Sequence, residues 1–158
     1  MKINTLDRTD RKILRILQEN ARISVKEIAS RLFMSSPAIS ARIAKMEQSG
    51  VIRGYHADID PAALDYPIKA FINLEVSPKQ KQEFYAYIER IENVVECNCV
   101  TGDYSMLIET LFESTAQLDH FVYELQQYGR TKTLITFSTA IPQRPVPIRI
   151  TDGTDSVS

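Results

Sequence analysis

Apolar residues in the first fifty positions recur at intervals of three and four. Ile13, Leu14, Ile16 and Leu17 form one stripe. Asp7, with Asp10 three residues later, is an N-cap signal ahead of it and predicts a helix to about Asn20. Val25, Ile28, Ala29 and Leu32 form a second stripe behind the capping box at Ser24 to Glu27. Ile39, Ile43 and Met46 form a third. Ser35 or Ser36 would cap this helix, Pro37 suits its first turn, and Gly50 stops it after about Ser49. A short helix, a tight turn and a second helix make a helix-turn-helix, with the third helix as the recognition helix.

After Gly50 the stretch from Val51 to Asp60 alternates like a short strand and ends at Pro61. It lacks a Gly/Ser or Pro-rich run, so it reads as a connector of limited flexibility, reaching about residue 66. From Ile68 the period becomes two. A strand through Val76 leads into a helix opened by Ser77-Pro78 and running through Ile91. Val94 to Thr101 is a second strand, Gly102-Asp103 a turn between the two central strands, and Ser105 to Leu111 a third strand. Ser114 or Thr115 caps a helix with the stripe Leu118, Phe121, Val122, Leu125 and Tyr128, and Thr131 to Ala140 is the last strand. The order βαββαβ is ferredoxin-like, with helices on one face of an antiparallel sheet. The expected fold is α+β: a winged-type, three-helix helix-turn-helix domain over residues 1–60, then a ferredoxin-like domain over 67–141. The tail, 142–158, is expected to be irregular and then disordered. On the last strand, both the set Thr133, Ile135, Phe137 and the set Leu134, Thr136, Ser138 mix apolar and polar residues. A sheet face of this kind commonly pairs with its own copy.

Charge divides along the same boundary. Residues 1–60 carry eleven Lys/Arg against seven Asp/Glu, net +4, while the remainder is net −5. A basic module on an acidic one suggests different partners. Ser35, Ser36 and Ala38 stand in the first turn of the third helix, and hydroxyls and N–H groups there suit phosphates. Ala41, Arg42 and Lys45 stand away from the Ile/Met stripe, and Arg22, Lys26, Arg31 and Arg53 could flank them. Arg42 could reach a guanine edge or a phosphate, and Lys45 a phosphate. The competing reading is an ordinary three-helix bundle with a solvated charged face; the local +4 favours double-stranded DNA. The charged N-terminus has no signal-peptide character, and no run approaches the roughly 18 apolar residues of a membrane helix, so a cytoplasmic location and no membrane partner are expected.

The stretch Cys99-Val100-Thr101-Gly102-Asp103-Tyr104 offers a carboxylate and several backbone N–H groups at a strand end. It can be a plain turn or a holder of a small charged molecule. Cys97 and Cys99 share a strand face and cannot bridge while it stays extended, and no further ligands stand near, so reduced thiols are expected and no metal or cofactor.

Together the segments Leu6-Asp7-x-x-Asp10, Ser24-x-x-Glu27-Ile28-Ala29-x-Arg31-Leu32, the Arg42-Ile43-x-x-Met46-Glu47 helix, Gly50-Val51-Ile52-x-Gly54-Tyr55 and Val100-Thr101-Gly102-Asp103-Tyr104 resemble the Lrp/AsnC, or feast/famine, transcription regulators over about residues 5–141. The resemblance implies a DNA-binding domain joined to an effector-binding and oligomerisation domain, dimers assembling to octamers, and an amino acid effector between dimers. It ties Thr101, Gly102, Asp103 and Tyr104 to effector binding, and the same expectation extends to Thr133, Thr136 and Ser138 on the last strand. Three positions depart from the family pattern: Phe33 stands where glycine is usual, Ala41 and Ala44 where basic or polar residues are common, and Ser105 where a second acid is frequent. An effector-independent DNA organiser has the same architecture. An enzyme resembling sirohaem decarboxylases would need gathered histidines, and His56 and His120 lie 64 positions apart. Val76 to Lys81 lacks the Gly and Arg of an acylphosphatase anion loop, so no enzymatic activity is expected.

Overall fold

The computed structural model describes residues 6–150, which divide into two compact units. One is helical and runs to Ala57, completed by the segment from Gln143; the other is Asp58–Pro142. The disorder expected for 151–158 lies outside the described residues.

In the helical unit α1 is Arg8–Glu19, α2 Val25–Leu32 and α3 Ser36–Gln48. Each begins where a side chain satisfies an orphan N–H. Asp7 Oδ1 accepts from Asp10 N at 2.8 Å while Asp10 Oδ2 accepts from Asp7 N at 3.2 Å, a reciprocal capping box. Ser24 Oγ accepts from Glu27 N, and Ser35 Oγ from Ala38 N. Ile13, Ile28, Ile39 and Met46 are fully buried, with Ile23 and Ala29 beside them. Burying each large side chain contributes on the order of 2 kcal/mol. The alternation at 51–60 does not become a strand, because among the described residues no second strand stands in this unit to bond it; Ile52 instead packs on the helical core. From Pro142 to Ile150 the tail forms neither helix nor strand. Its three prolines remove ladder donors, and its carbonyls are used instead: Gln18 Nε2 donates to Val146 O at 3.0 Å and Arg11 Nη1 to Arg149 O at 3.3 Å.

In the other unit a 3₁₀ turn, Pro61–Leu64, precedes β1 Ile68–Leu74, α4 Lys81–Ile88, β2 Val94–Cys99, β3 Met106–Phe112, α5 Thr115–Leu125 and β4 Thr131–Ile135. The sheet is antiparallel in the order β2-β3-β1-β4. Ala70, Ile72, Leu74, Met106, Ile108 and Phe112 face the helices and bury against Phe84, Leu118, Phe121 and Leu125. Thr110 is buried among them, and its hydroxyl donates to Ala70 O at 3.2 Å. Three details differ from the sequence reading. The Gly102 turn joins edge strand β2 to central strand β3, since β1 and β3 take the centre. Ser77-Pro78 make a turn, so α4 starts only at Lys81. β4 is half the expected length: its ladder with β1 stops at the Ala70–Ile135 pair, followed by one more bond from Thr136 N–H to Lys69 O. Cys97 and Cys99 are free thiols, and burial raises the Cys97 pKa above its ordinary value.

The opposite sheet face holds Lys69, Phe71 and Asn73 of β1, Leu107, Glu109 and Leu111 of β3, and Leu134 of β4. Lys69 pairs with Glu109 at 2.5 Å and lies 5.3 Å from the Phe71 ring centroid.

Candidate DNA-binding surface and effector loop

On α3, Ala41 and Lys45 are exposed while Ser36 and Ala38 are half-buried in its first turn. Ser35 Oγ is occupied as the cap. Arg42 is half-buried where Lys45, three residues on, is exposed. It stands three residues after buried Ile39 and four before buried Met46, so helical spacing turns it towards α1. Its Nη1 contacts Asp7 Oδ2 at 2.5 Å and Asp10 Oδ1 at 2.8 Å, and its side chain is 33% exposed. The Asp10 backbone N–H, and then the Arg42 guanidinium, hold the Asp7 carboxyl below its ordinary pKa of 3.8; the two carboxylates in turn raise that of Arg42. Arg42 therefore clamps α3 to the cap of α1, and the cations left on the surface are others. Lys26 is exposed on α2, and Arg31 is paired with Glu27 at 2.5 Å. Arg22 and Arg53 come together with His56 along a groove between the end of α1 and the segment after α3.

The ends of β1 and β2 and the starts of β3 and β4 meet at one end of the sheet. There the loop from Val100 to Ser105 is closed by Val100 N donating to Ser105 O at 2.9 Å. Gly102 has φ +116°, a conformation an L side chain rarely adopts. Thr101 and Asp103 are exposed, and among the described residues no ion pair holds Asp103. Ser105 turns away from the loop: its hydroxyl accepts from Val76 N at 2.8 Å and its backbone N–H donates to Leu74 O, tying the loop's base to the end of β1. Arg130, which sequence reasoning missed, lies over the Tyr104 ring at 5.0 Å and pairs with Glu75 at 3.3 Å. Its signal is indirect: it follows Gly129 at the start of the last strand, and only the strand order puts that start beside the loop. Thr133 lies one inward-facing position down β4 from this end. Thr136 and Ser138 lie beyond the other end of β4, roughly 17 Å or more away at the usual strand rise, so one chain does not bring them to the loop.

Residues 6–53 match the family described as winged helix-turn-helix DNA-binding, and residues 69–146 the Lrp/AsnC ligand binding domain. The transcriptional regulator LrpA of Bacillus subtilis is 31% identical over 131 residues, 82% of this chain and 96% of that protein. The chain belongs to the Lrp/AsnC family. The structure of AsnC from Escherichia coli superposes with a TM-score of 0.82 at 32% identity, covering 90% of this chain and 98% of that one. A regulator from Neisseria meningitidis, solved as a complex with L-methionine, gives 0.84 at 26% identity over 90% and 97%. This Lrp/AsnC protein is thus a DNA-binding transcriptional regulator with a ligand-binding domain, and its function is regulatory, not enzymatic. No helix among the described residues is long and apolar enough to cross a membrane.

Proposed function

We propose that this regulator senses a small amino-acid-like effector at the Thr101–Tyr104 loop and passes the signal to DNA through its assembly. The observation that carries the reading is the charge arrangement at the loop end. Asp103 stands exposed and unpaired by any ion pair among the described residues, while Arg130 stacks on Tyr104 of the same loop. A zwitterion offers an ammonium to the carboxylate, and a carboxylate to the guanidinium or to the N–H groups around Gly102. Thr133 could line the same end. Thr136 and Ser138 could join only from another copy. The methionine complex of the Neisseria relative supports an amino acid as the ligand class.

Assembly through the open sheet face is supported by its half-buried Phe71, Leu107 and Leu111, which a second copy would cover. A dimer would present two α3 helices at fixed spacing, and octamers could bend DNA around them. On each, Ser36, Ala38, Ala41 and Lys45 would face the duplex, with Ser35 N-capping the helix. Lys26, Arg22 and Arg53 would supply phosphate contacts, and Arg42 would act by positioning α3. If the effector bridges copies, it shifts the assembly equilibrium and so DNA affinity. The test titrates the twenty amino acids while following solution mass and duplex affinity. At least one should move both, and Asp103→Asn should abolish that response without altering effector-free binding. No response to any amino acid would leave an effector-independent DNA organiser.

A further inference from the structure

Phe33 ends α2 in the left-handed region, φ +55° and ψ 45°. Glycine adopts this conformation freely and a bulky side chain does so under strain. The ring recovers nothing by burial, being 96% exposed while Leu32 and Met34 on either side pack on the core. The turn is fixed from both directions. Met34 N donates to Ala29 O at 2.9 Å, the Schellman bond that closes α2, and Ser35 then caps α3. A strained backbone residue thus carries an uncovered aromatic ring at a fixed point in the turn that delivers the chain into α3.

We infer that Phe33 reads DNA, its ring making apolar contact with a thymine methyl in the major groove. The inference rests on α3 being the recognition helix, whose N-terminal end is the part that approaches base edges. The one apolar feature on the groove's edge code is the thymine C5-methyl, and an aromatic ring is among the side chains that meet it. α3 itself offers little polar readout, since Ala38, Ala41 and Ala44 occupy much of it. The net charge of +4 over residues 1–60 favours a polyanion over an apolar protein surface as the occupant.

The test uses a duplex selected from a randomised pool by the full-length wild-type protein. Each thymine is then replaced in turn by uracil, which lacks only the methyl. Wild type should lose about fourfold in affinity at one position per half-site, the burial of one methyl group. Phe33→Gly should bind the thymine duplex as weakly as wild type binds the uracil one, with no further loss on uracil substitution. Phe33→Leu should retain part of the discrimination. Glycine suits the backbone there, so Phe33→Gly should fold, and its thermal melt checks this. An unchanged affinity and uracil response in Phe33→Gly overturns the inference. So does a change in solution mass with the uracil response intact, which would assign the ring to a protein contact. Lys45→Glu separates the two readings: if it abolishes binding while Phe33→Gly changes nothing, α3 remains the recognition helix and only Phe33 is misassigned. If wild type selects no duplex, both fall.

Discussion

The turn at Phe33 and the turn at Gly102 each hold one residue in the left-handed region, but on different terms. Phe33, at φ +55°, sits in the small basin that an L residue can enter under strain. Gly102, at φ +116°, lies outside it, and beyond its own chain neighbours no atom lies within 4 Å of where its Cβ would be, so only the backbone dihedral demands glycine there. Gly129 is a third case. Its φ is +152°, and a Cβ would fall 1.8 Å from Glu75 O. The Phe33 dihedrals therefore tolerate a side chain where the Gly102 dihedral and the crowding at Gly129 do not, and a tolerated side chain at such a place needs another reason to be there.

Four measurements sharpen or break this comparison. Gly129→Ala should have the largest effect. Its Cβ meets backbone that is itself bonded, Glu75 N to Arg130 O at 2.9 Å, so neither side can yield cheaply. We expect a loss of about 3 kcal/mol or more in urea unfolding. Gly102→Ala has space and pays only for its dihedral, so about 1–2 kcal/mol is expected, with the native fold retained. Phe33→Gly should go the other way, stabilising the helical unit by about 1 kcal/mol as strain is relieved, offset in part by the greater entropy of the unfolded chain. Equal losses in all three variants would sink the distinction between strain and clash.

The smallest effect concerns the clamp between α3 and the cap of α1. The folded state holds Asp7 below its ordinary pKa, so the unfolded chain binds its proton more readily. That contribution is complete above about pH 4 and is lost as the pH falls through the lowered folded value. Arg42→Met should cost about 1 kcal/mol at neutral pH and flatten this acid limb, read by thermal melts from pH 2 to 6. An acid limb of the same depth in wild type and variant would show that the clamp contributes nothing to it.

The sequence made the elements readable because their signals are local. Asp7, Ser24, Ser35 and Ser114 all cap where the hydrophobic period predicted a start. What it hid depends on partners distant along the chain. β2 lies at an edge because β1 and β3 take the centre. Arg42 looked like a free cation until α1 packed against α3 and presented two carboxylates. Arg130 has no motif of its own, and Ser105 looked like a lost ligand acid until the end of β1 came alongside to receive its hydroxyl. The loop at Thr101 to Tyr104 was legible as a candidate. Its distance from Thr136 and Ser138 was not, since that follows from antiparallel pairing and not from spacing.

The tail's return to α1 changes what a cut in the backbone would do. The sheet unit is, in covalent terms, an insertion: the chain leaves the helical unit after Ala57 and re-enters it at Gln143. A protease nick in the exposed stretch around Arg53 to Asp60 would sever the first crossing. The fragments would still share the second, held by the grip of Gln18 and Arg11 on carbonyls 146 and 149. That grip has no covalent lock. Docked, the tail makes a circuit of the chain; lifted, it leaves the DNA-binding unit on a single tether.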